Sequence, residues 1–181
     1  MQKRWFATLV SVFLAGCQGG PPEVPAGVSP VKGFQLQRYL GTWHEIARLD
    51  HSFERGLERV TANYTLRDDG GVRVTNRGYR ADKDAWKEAV GKAYFVGSPD
   101  EGLLKVSFFG PFYGSYVVFD LDRVGYEYAF VSGPNTSYLW LLSRFPQIPD
   151  TLRQRFVRRA TELGFDTTKL VWVKQADETA R

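Results

Sequence analysis

The chain has 181 residues, with one cysteine, five tryptophans and 15 % aromatic residues, enough for one well-buried domain and too few thiols for an internal disulfide. Its 24 basic and 20 acidic side chains leave a net charge of +4, part of which belongs to Lys3 and Arg4 at the extreme N-terminus. The remainder is nearly balanced, which argues against a nucleic-acid partner.

Lys3 and Arg4 precede the apolar run 5–16, shorter than the roughly 20 residues that cross a bilayer. Residues 1–16 therefore read as a secretory signal with small residues before its cut site. The ending Leu14-Ala15-Gly16-Cys17 resembles the lipobox of bacterial lipoproteins. That resemblance implies cleavage before Cys17, a diacylglycerol on its thiol and an acyl chain on the new amine. Gln18, rather than Asp, in the next position then favours the outer membrane, with the domain facing the periplasm. Residues 17–32 hold Gly19, Gly20, Pro21, Pro22, Pro25, Gly27 and Pro30 and read as a flexible tether. The folded domain is expected over 33–175, with a tail at 176–181.

From Phe34 to Arg144 the pattern is period-two alternation, interrupted at short intervals by Gly, Asp, Asn and Pro. The segment Arg59–Arg67 sets Val60, Ala62, Tyr64 and Leu66 on one face, and Asp68-Asp69-Gly70-Gly71 turns it into Val72–Arg77. Asp-Gly between alternating runs signals a hairpin. Further strands fit Gly41–Arg48, Trp86–Val96, Leu103–Phe109, Ser115–Leu121, Tyr126–Ser132 and Tyr138–Arg144. Eight consecutive antiparallel strands suit an all-β up-and-down barrel, which leaves no open edge; a sandwich is the alternative. A helix follows, opened by Pro149-Asp150, striped by Leu152, Phe156, Ala160 and Leu163, and closed by Gly164. Leu170–Val173 adds a short final strand.

Gly41-Thr42-Trp43 at the start of the first strand, Arg144 at the end of the eighth and a helix beyond resemble the lipocalin pattern. The stretches 41–48, 106–116 and 138–144 are similar to the lipoprotein lipocalins of bacterial outer membranes, relatives of apolipoprotein D. The resemblance implies that Trp43 plugs the closed barrel end with Arg144 across its ring, a cation–π contact, and that Gly41 belongs to this end. It also implies a hydrophobic ligand, and it mildly favours a homodimer. Where the family carries Thr-Asp-Tyr near the seventh strand, this chain has Gly125-Tyr126-Glu127-Tyr128, so no receptor contact is carried over.

With Gly41-Thr42-Trp43 at the closed end, up-and-down order sends the turns Asp68–Gly71, Gly97–Gly102 and Asp122–Gly125 there too. The turns Asp50–Leu57, Arg80–Ala85, Gly110–Gly114 and Gly133–Ser137 form the mouth. Phe53, Phe112 and Tyr113 with Arg55, Arg80 and Lys83 make a mixed apolar and cationic rim, suited to an acyl tail with an anionic or zwitterionic head. Phe112 and Tyr113 have the alternative of folding back over the Gly-Pro turn. Alternation points Val74, Asn76, Ala93, Phe95, Val106 and Phe108 inward; Trp140 follows from the parity of Arg144, and Phe130 joins them on the seventh strand. Strand six is ambiguous, because both Tyr116/Val118 and Val117/Phe119 are apolar. A barrel of eight strands is either filled or hollow, so each of these side chains is core or wall.

Catalysis has little support. His44 and His51 lie on strand and following loop without metal-pair spacing, and no Gly-x-Ser-x-Gly elbow occurs. No cofactor or metal is expected. The leading expectation is a lipid-binding outer-membrane lipoprotein that stores or transports fatty acids or lysophospholipids. A lipocalin-scaffold enzyme acting on a hydrophobic substrate, and a haem or pigment binder, are the alternatives.

Overall fold

Alternating segments that each bury one face have closed on one another into a barrel. The computed structural model describes residues 22–175; the leader, Cys17 and the tail lie outside the described residues. A short helix, α1 (Leu36–Tyr39), leads into β1 (Gly41–Leu49), β2 (Leu57–Leu66), β3 (Val72–Arg80) and β4 (Ala85–Phe95). These are followed by β5 (Leu103–Ser107), β6 (Gly114–Leu121), β7 (Tyr128–Ser132) and β8 (Leu139–Ser143). The helix α2 (Asp150–Glu162) and the strand β9 (Leu170–Trp172) complete the domain. Each of β2 to β8 pairs with its sequence neighbour, and β1 joins β8 to β2, so the eight strands form the expected closed up-and-down barrel. β9 pairs with Ala47–Leu49 of β1 beyond the point where β1 leaves β2.

The expected seventh strand begins two residues late. Tyr126 adopts a left-handed φ of 56° and its hydroxyl accepts a hydrogen bond from the Gln35 N–H at 3.0 Å, which holds it in the turn.

Two cores lie on opposite sides of the wall. The inner one gathers Trp43, Tyr64, Val74, Leu104, Val118, Val131 and Leu142 inside the barrel. An outer one seats α2 through Phe156 and Ala160 against Ile46, Val117, Phe119, Phe130, Leu139 and Leu141. The α2 stripe at i, i+4 spacing is thus buried on one flank of the sheet, and Gly164 closes it at φ 79°, a conformation glycine adopts without strain. Strand six is resolved by the same division: Tyr116 and Val118 face inward and Val117 and Phe119 face the helix.

The outer core corrects one expected ligand contact. Phe130 is fully buried beneath α2, its ring edge-on to Phe156 at 4.9 Å. In the β7–β8 ladder Phe130 opposes Leu141 and Val131 opposes Trp140. Opposed residues of an antiparallel pair share a face, so the inward Trp140 carries Val131 inside and leaves Phe130 outside.

The later part of the segment expected as a tether packs on the barrel. Val28 and Val31 are buried; the Val31 N–H donates to the Val118 carbonyl at 2.9 Å, its carbonyl accepts from the Gly102 N–H at 2.9 Å, and Lys32 pairs with Glu101. Apolar side chains at 24, 28 and 31 fit the barrel wall, which the Pro and Gly content conceals.

Candidate functional site

The closed end is built around Trp43, which is 0 % exposed and donates its indole N–H to the Tyr39 carbonyl at 2.8 Å. The Arg144 guanidinium lies 3.9 Å from the Trp43 ring centroid. Its nitrogens donate to the carbonyls of Thr42 at 2.8 Å, Arg38 at 2.8 Å, Leu40 at 2.9 Å and Tyr126 at 3.3 Å. One planar cation thereby ties α1, β1 and the turn before β7. Gly41, at φ 95° with Arg144 Nη1 3.4 Å from where a Cβ would stand, allows this approach.

Above the plug, Phe34 and the α1 side chains fill the lower barrel. Ala93 sits there beside a void of about 10 Å³, and Phe95 packs edge-on to Phe34 at 6.1 Å. Both point inward as expected, but they belong to the floor and not to the ligand space. The reason is the segment before β1, which enters the barrel end from below.

The upper barrel is hollow. One lobe of about 360 Å³ is lined by Phe53, Leu57, Val60, Asn76, Ala89, Val106, Phe108, Phe109 and Phe112, with Glu54, Arg77 and Lys87 as its charged members. A second lobe of about 260 Å³ is lined by Tyr64, Val74, Val106, Phe108, Tyr116, Val131, Tyr138 and Trp140, with Glu45 and Glu54. Phe53, Glu54, Asn76, Val106 and Phe108 line both, so the lobes adjoin. The structure thus brings together Val74, Asn76, Val106, Phe108, Trp140, Phe53 and Phe112 from the expected set. Arg55 and Arg80 instead pair with Asp50 at 2.8 Å and Asp82 at 3.1 Å on the outside. Tyr113 lies against the outer wall, 6.5 Å from Tyr94. Phe112 is 78 % exposed, so of the two rings only Tyr113 turns back onto the barrel.

One cluster escapes the alternation argument. Arg48 is 2 % exposed and donates through Nη1 to Glu45 Oε1 at 2.7 Å and through Nη2 to the Glu54 carbonyl at 2.8 Å. Glu54 Oε2 accepts from the Trp140 indole at 3.2 Å. Strict alternation puts Glu45 and Arg48 on opposite faces. The β1–β8 register shifts between Glu45 and Ala47, a bulge at Ile46 that returns Arg48 to the inside. The signal in the sequence is the adjacent apolar pair Ile46-Ala47 between two charges.

Burial holds the Glu45 carboxyl well above the usual carboxylate range, reinforced by the neighbouring Glu54 charge, and burial likewise raises Glu54. His51 is stacked on Phe53 at 4.5 Å and packs against Trp140 at 4.9 Å. Its Nδ1 lies 3.2 Å from Glu54 Oε2 but off the hydrogen-bond axis, so both ring nitrogens are unsatisfied. Burial, then the Arg48 charge, pushes His51 down to about 4. Deeper in, the Tyr116 hydroxyl lies 2.7 Å from those of both Tyr39 and Tyr64, and burial raises all three phenols. No group of His, Cys, Asp and Glu with metal-site geometry occurs among the described residues.

A closed antiparallel barrel with one plugged end, a flanking helix and a hollow apolar interior opening at the other end defines a ligand-binding calyx. The chain belongs to the lipocalin family: the family model described as Lipocalin-like domain matches residues 34–175. It is 59 % identical over 170 residues to the outer membrane lipoprotein Blc of Vibrio cholerae, covering 94 % of this chain and 97 % of that protein. With the Blc of Escherichia coli it shares 53 % over 169 residues, covering 93 % and 94 %. Among solved structures, insecticyanin from the tobacco hornworm Manduca sexta aligns with a TM-score of 0.66 at 20 % identity, over 86 % of this chain and 88 % of the other. That last likeness is one of fold.

Proposed function

We propose that this protein is a lipid carrier of the bacterial outer membrane, anchored through Cys17 with its barrel in the periplasm, that stores or transports fatty acids or lysophospholipids. The observation that carries the reading is the two-lobed cavity, whose lobes of about 360 and about 260 Å³ are of the size that holds small hydrophobic ligands. Its walls are mainly aromatic and aliphatic, as an acyl chain requires, with a few charged and polar side chains among them. The relatives named outer membrane lipoprotein and the Leu14-Ala15-Gly16-Cys17 ending support the location.

The carboxyl cluster fits a binding wall better than a catalytic one. Arg48 and His51 sit behind the cavity surface, and each carboxyl is already held by Arg48 or Trp140. These contacts fix Trp140 and Glu54 as rigid walls.

Trp140 supplies the test. Titrating the protein with palmitate or a lysophospholipid should shift its fluorescence saturably at one equivalent, and Trp140→Phe should remove most of the change. An interior that gives no saturable signal, and no lipid retained through gel filtration, would overturn the carrier reading.

A further inference from the structure

The helix α2 buries one face on the barrel and leaves the other without a protein partner. Along it Arg153, Gln154, Val157, Arg158 and Trp172 frame a shallow cleft of about 390 Å³. The Trp172 side chain is 39 % exposed, and the Arg153 guanidinium lies 4.7 Å from its ring centroid.

The acids of this region leave the cleft cationic. Arg155 is held by Asp120 at 2.9 Å and Arg159 by Glu162 at 3.3 Å, but no carboxylate lines the cleft itself. Asp150 is 3.8 Å from Arg153 Nε, beyond hydrogen-bond distance, and Arg158 has no acidic partner among the described residues. Two arginines with donors to spare thus stand beside an exposed indole. Guanidinium forks match phosphate oxygens, and tryptophan favours the boundary between lipid and water.

The N-terminal segment says what faces this flank. Val24 and Val28 pack into the outer core with Phe156 and Ala160 of α2, and a Cβ on Gly27 would stand 3.5 Å from Leu163. The chain therefore leaves the barrel beside α2. The five steps from Pro22 back to Cys17 reach at most about 18 Å, so a lipid on Cys17 keeps the α2 flank next to the membrane that holds it.

We propose that the α2 flank rests on the anionic phospholipid leaflet in which Cys17 is anchored, with Arg153 and Arg158 on lipid phosphates and Trp172 at the lipid–water boundary. The short free tether and the arginine–indole cleft are independent observations, and they name the same side of the barrel. A second copy of the chain fits less well, because a two-fold interface sets a patch against itself and would place arginines against arginines. The inference rests on the anchored-carrier reading for Cys17, and on the exposed flank alone for its geometry.

The test uses the full lipidated chain in vesicles of phosphatidylethanolamine and phosphatidylglycerol, brominated on the acyl chains near the glycerol. The emission of Trp172, read as the difference between the parent and Trp172→Phe, should fall roughly twofold relative to unbrominated vesicles. Arg153→Glu with Arg158→Glu should remove roughly half or more of that quenching, because attraction to an anionic surface scales with the basic residues brought against it. Equal Trp172 emission in the two kinds of vesicle, from protein that floats with them, overturns the docking and leaves the anchored carrier standing. So does quenching that survives both charge reversals, or a dimer seen in sedimentation whose Trp172 is shielded whatever the lipid. Protein that fails to float with the vesicles, while palmitate still shifts Trp140 fluorescence, overturns the anchor and the docking with it but leaves the lipid-binding cavity.

Discussion

Replacing Arg144 by Ala should destabilise the barrel more than a cation at a half-exposed position usually would. The guanidinium donates to carbonyls of Thr42, Arg38, Leu40 and Tyr126 while covering the Trp43 ring at 3.9 Å. A hydrogen bond to a charged group contributes roughly 1.5–3 kcal/mol when buried, and a partly desolvated cation–π contact about 1–2 kcal/mol. Solvent reaches part of the side chain and water replaces some of these partners, so a loss of about 3 kcal/mol is expected. Arg144→Lys should recover less than half, because an ammonium cannot fork to carbonyls on three segments. Urea unfolding followed by far-UV circular dichroism reads the loss as a fall of about 1–2 M in midpoint. Combined with Trp43→Phe, which keeps an aromatic ring, the two losses should fall short of adding by about 1 kcal/mol. Strict additivity, or a midpoint unchanged in Arg144→Ala, would refute the view that one cation clamps the closed end.

Phe130→Ala should cost about 3–5 kcal/mol, the range for an emptied aromatic site, yet leave lipid affinity within twofold in the folded protein, since the ring lies beneath α2; weakened binding without lost stability would return Phe130 to the cavity. His51 predicts an acid limb. Its pKa falls from 6.5 unfolded to about 4 folded, so the folded chain binds fewer protons between those values, and stability present above pH 6.5 is lost as pH falls toward 4. The full shift is worth roughly 3 kcal/mol. Glu45 and Glu54, whose raised values act in the opposite sense above their unfolded range, offset part of it, so the observed loss is smaller than the His51 share alone. His51→Phe, which keeps the stacking on Phe53, should flatten this limb in urea melts between pH 7.5 and 4.5, and pH curves parallel to the parent would refute the assignment.

Local chemistry made much of this protein readable in one dimension. Alternation of the kind in Arg59–Arg67, the Asp69-Gly70 turn and the α2 stripe depend on residues a few positions apart, and sequence displays such neighbours directly. The Gly41-Thr42-Trp43 and Arg144 pair was legible through family resemblance, and the parity of Arg144 carried Trp140 to the cavity. What tertiary structure decided was register and depth. A bulge at Ile46 turns Arg48 inside beside Glu45 and Glu54, because one extra residue in a strand reverses every face beyond it. Cross-strand pairing with Leu141 sends Phe130 beneath the helix. Entry of Phe34 and α1 from below makes Ala93 and Phe95 a floor, and the same geometry leaves the upper barrel hollow. Alternation tells which side of a sheet a residue faces; whether that side meets a helix, a plug or a cavity depends on chain that arrives from far away in sequence.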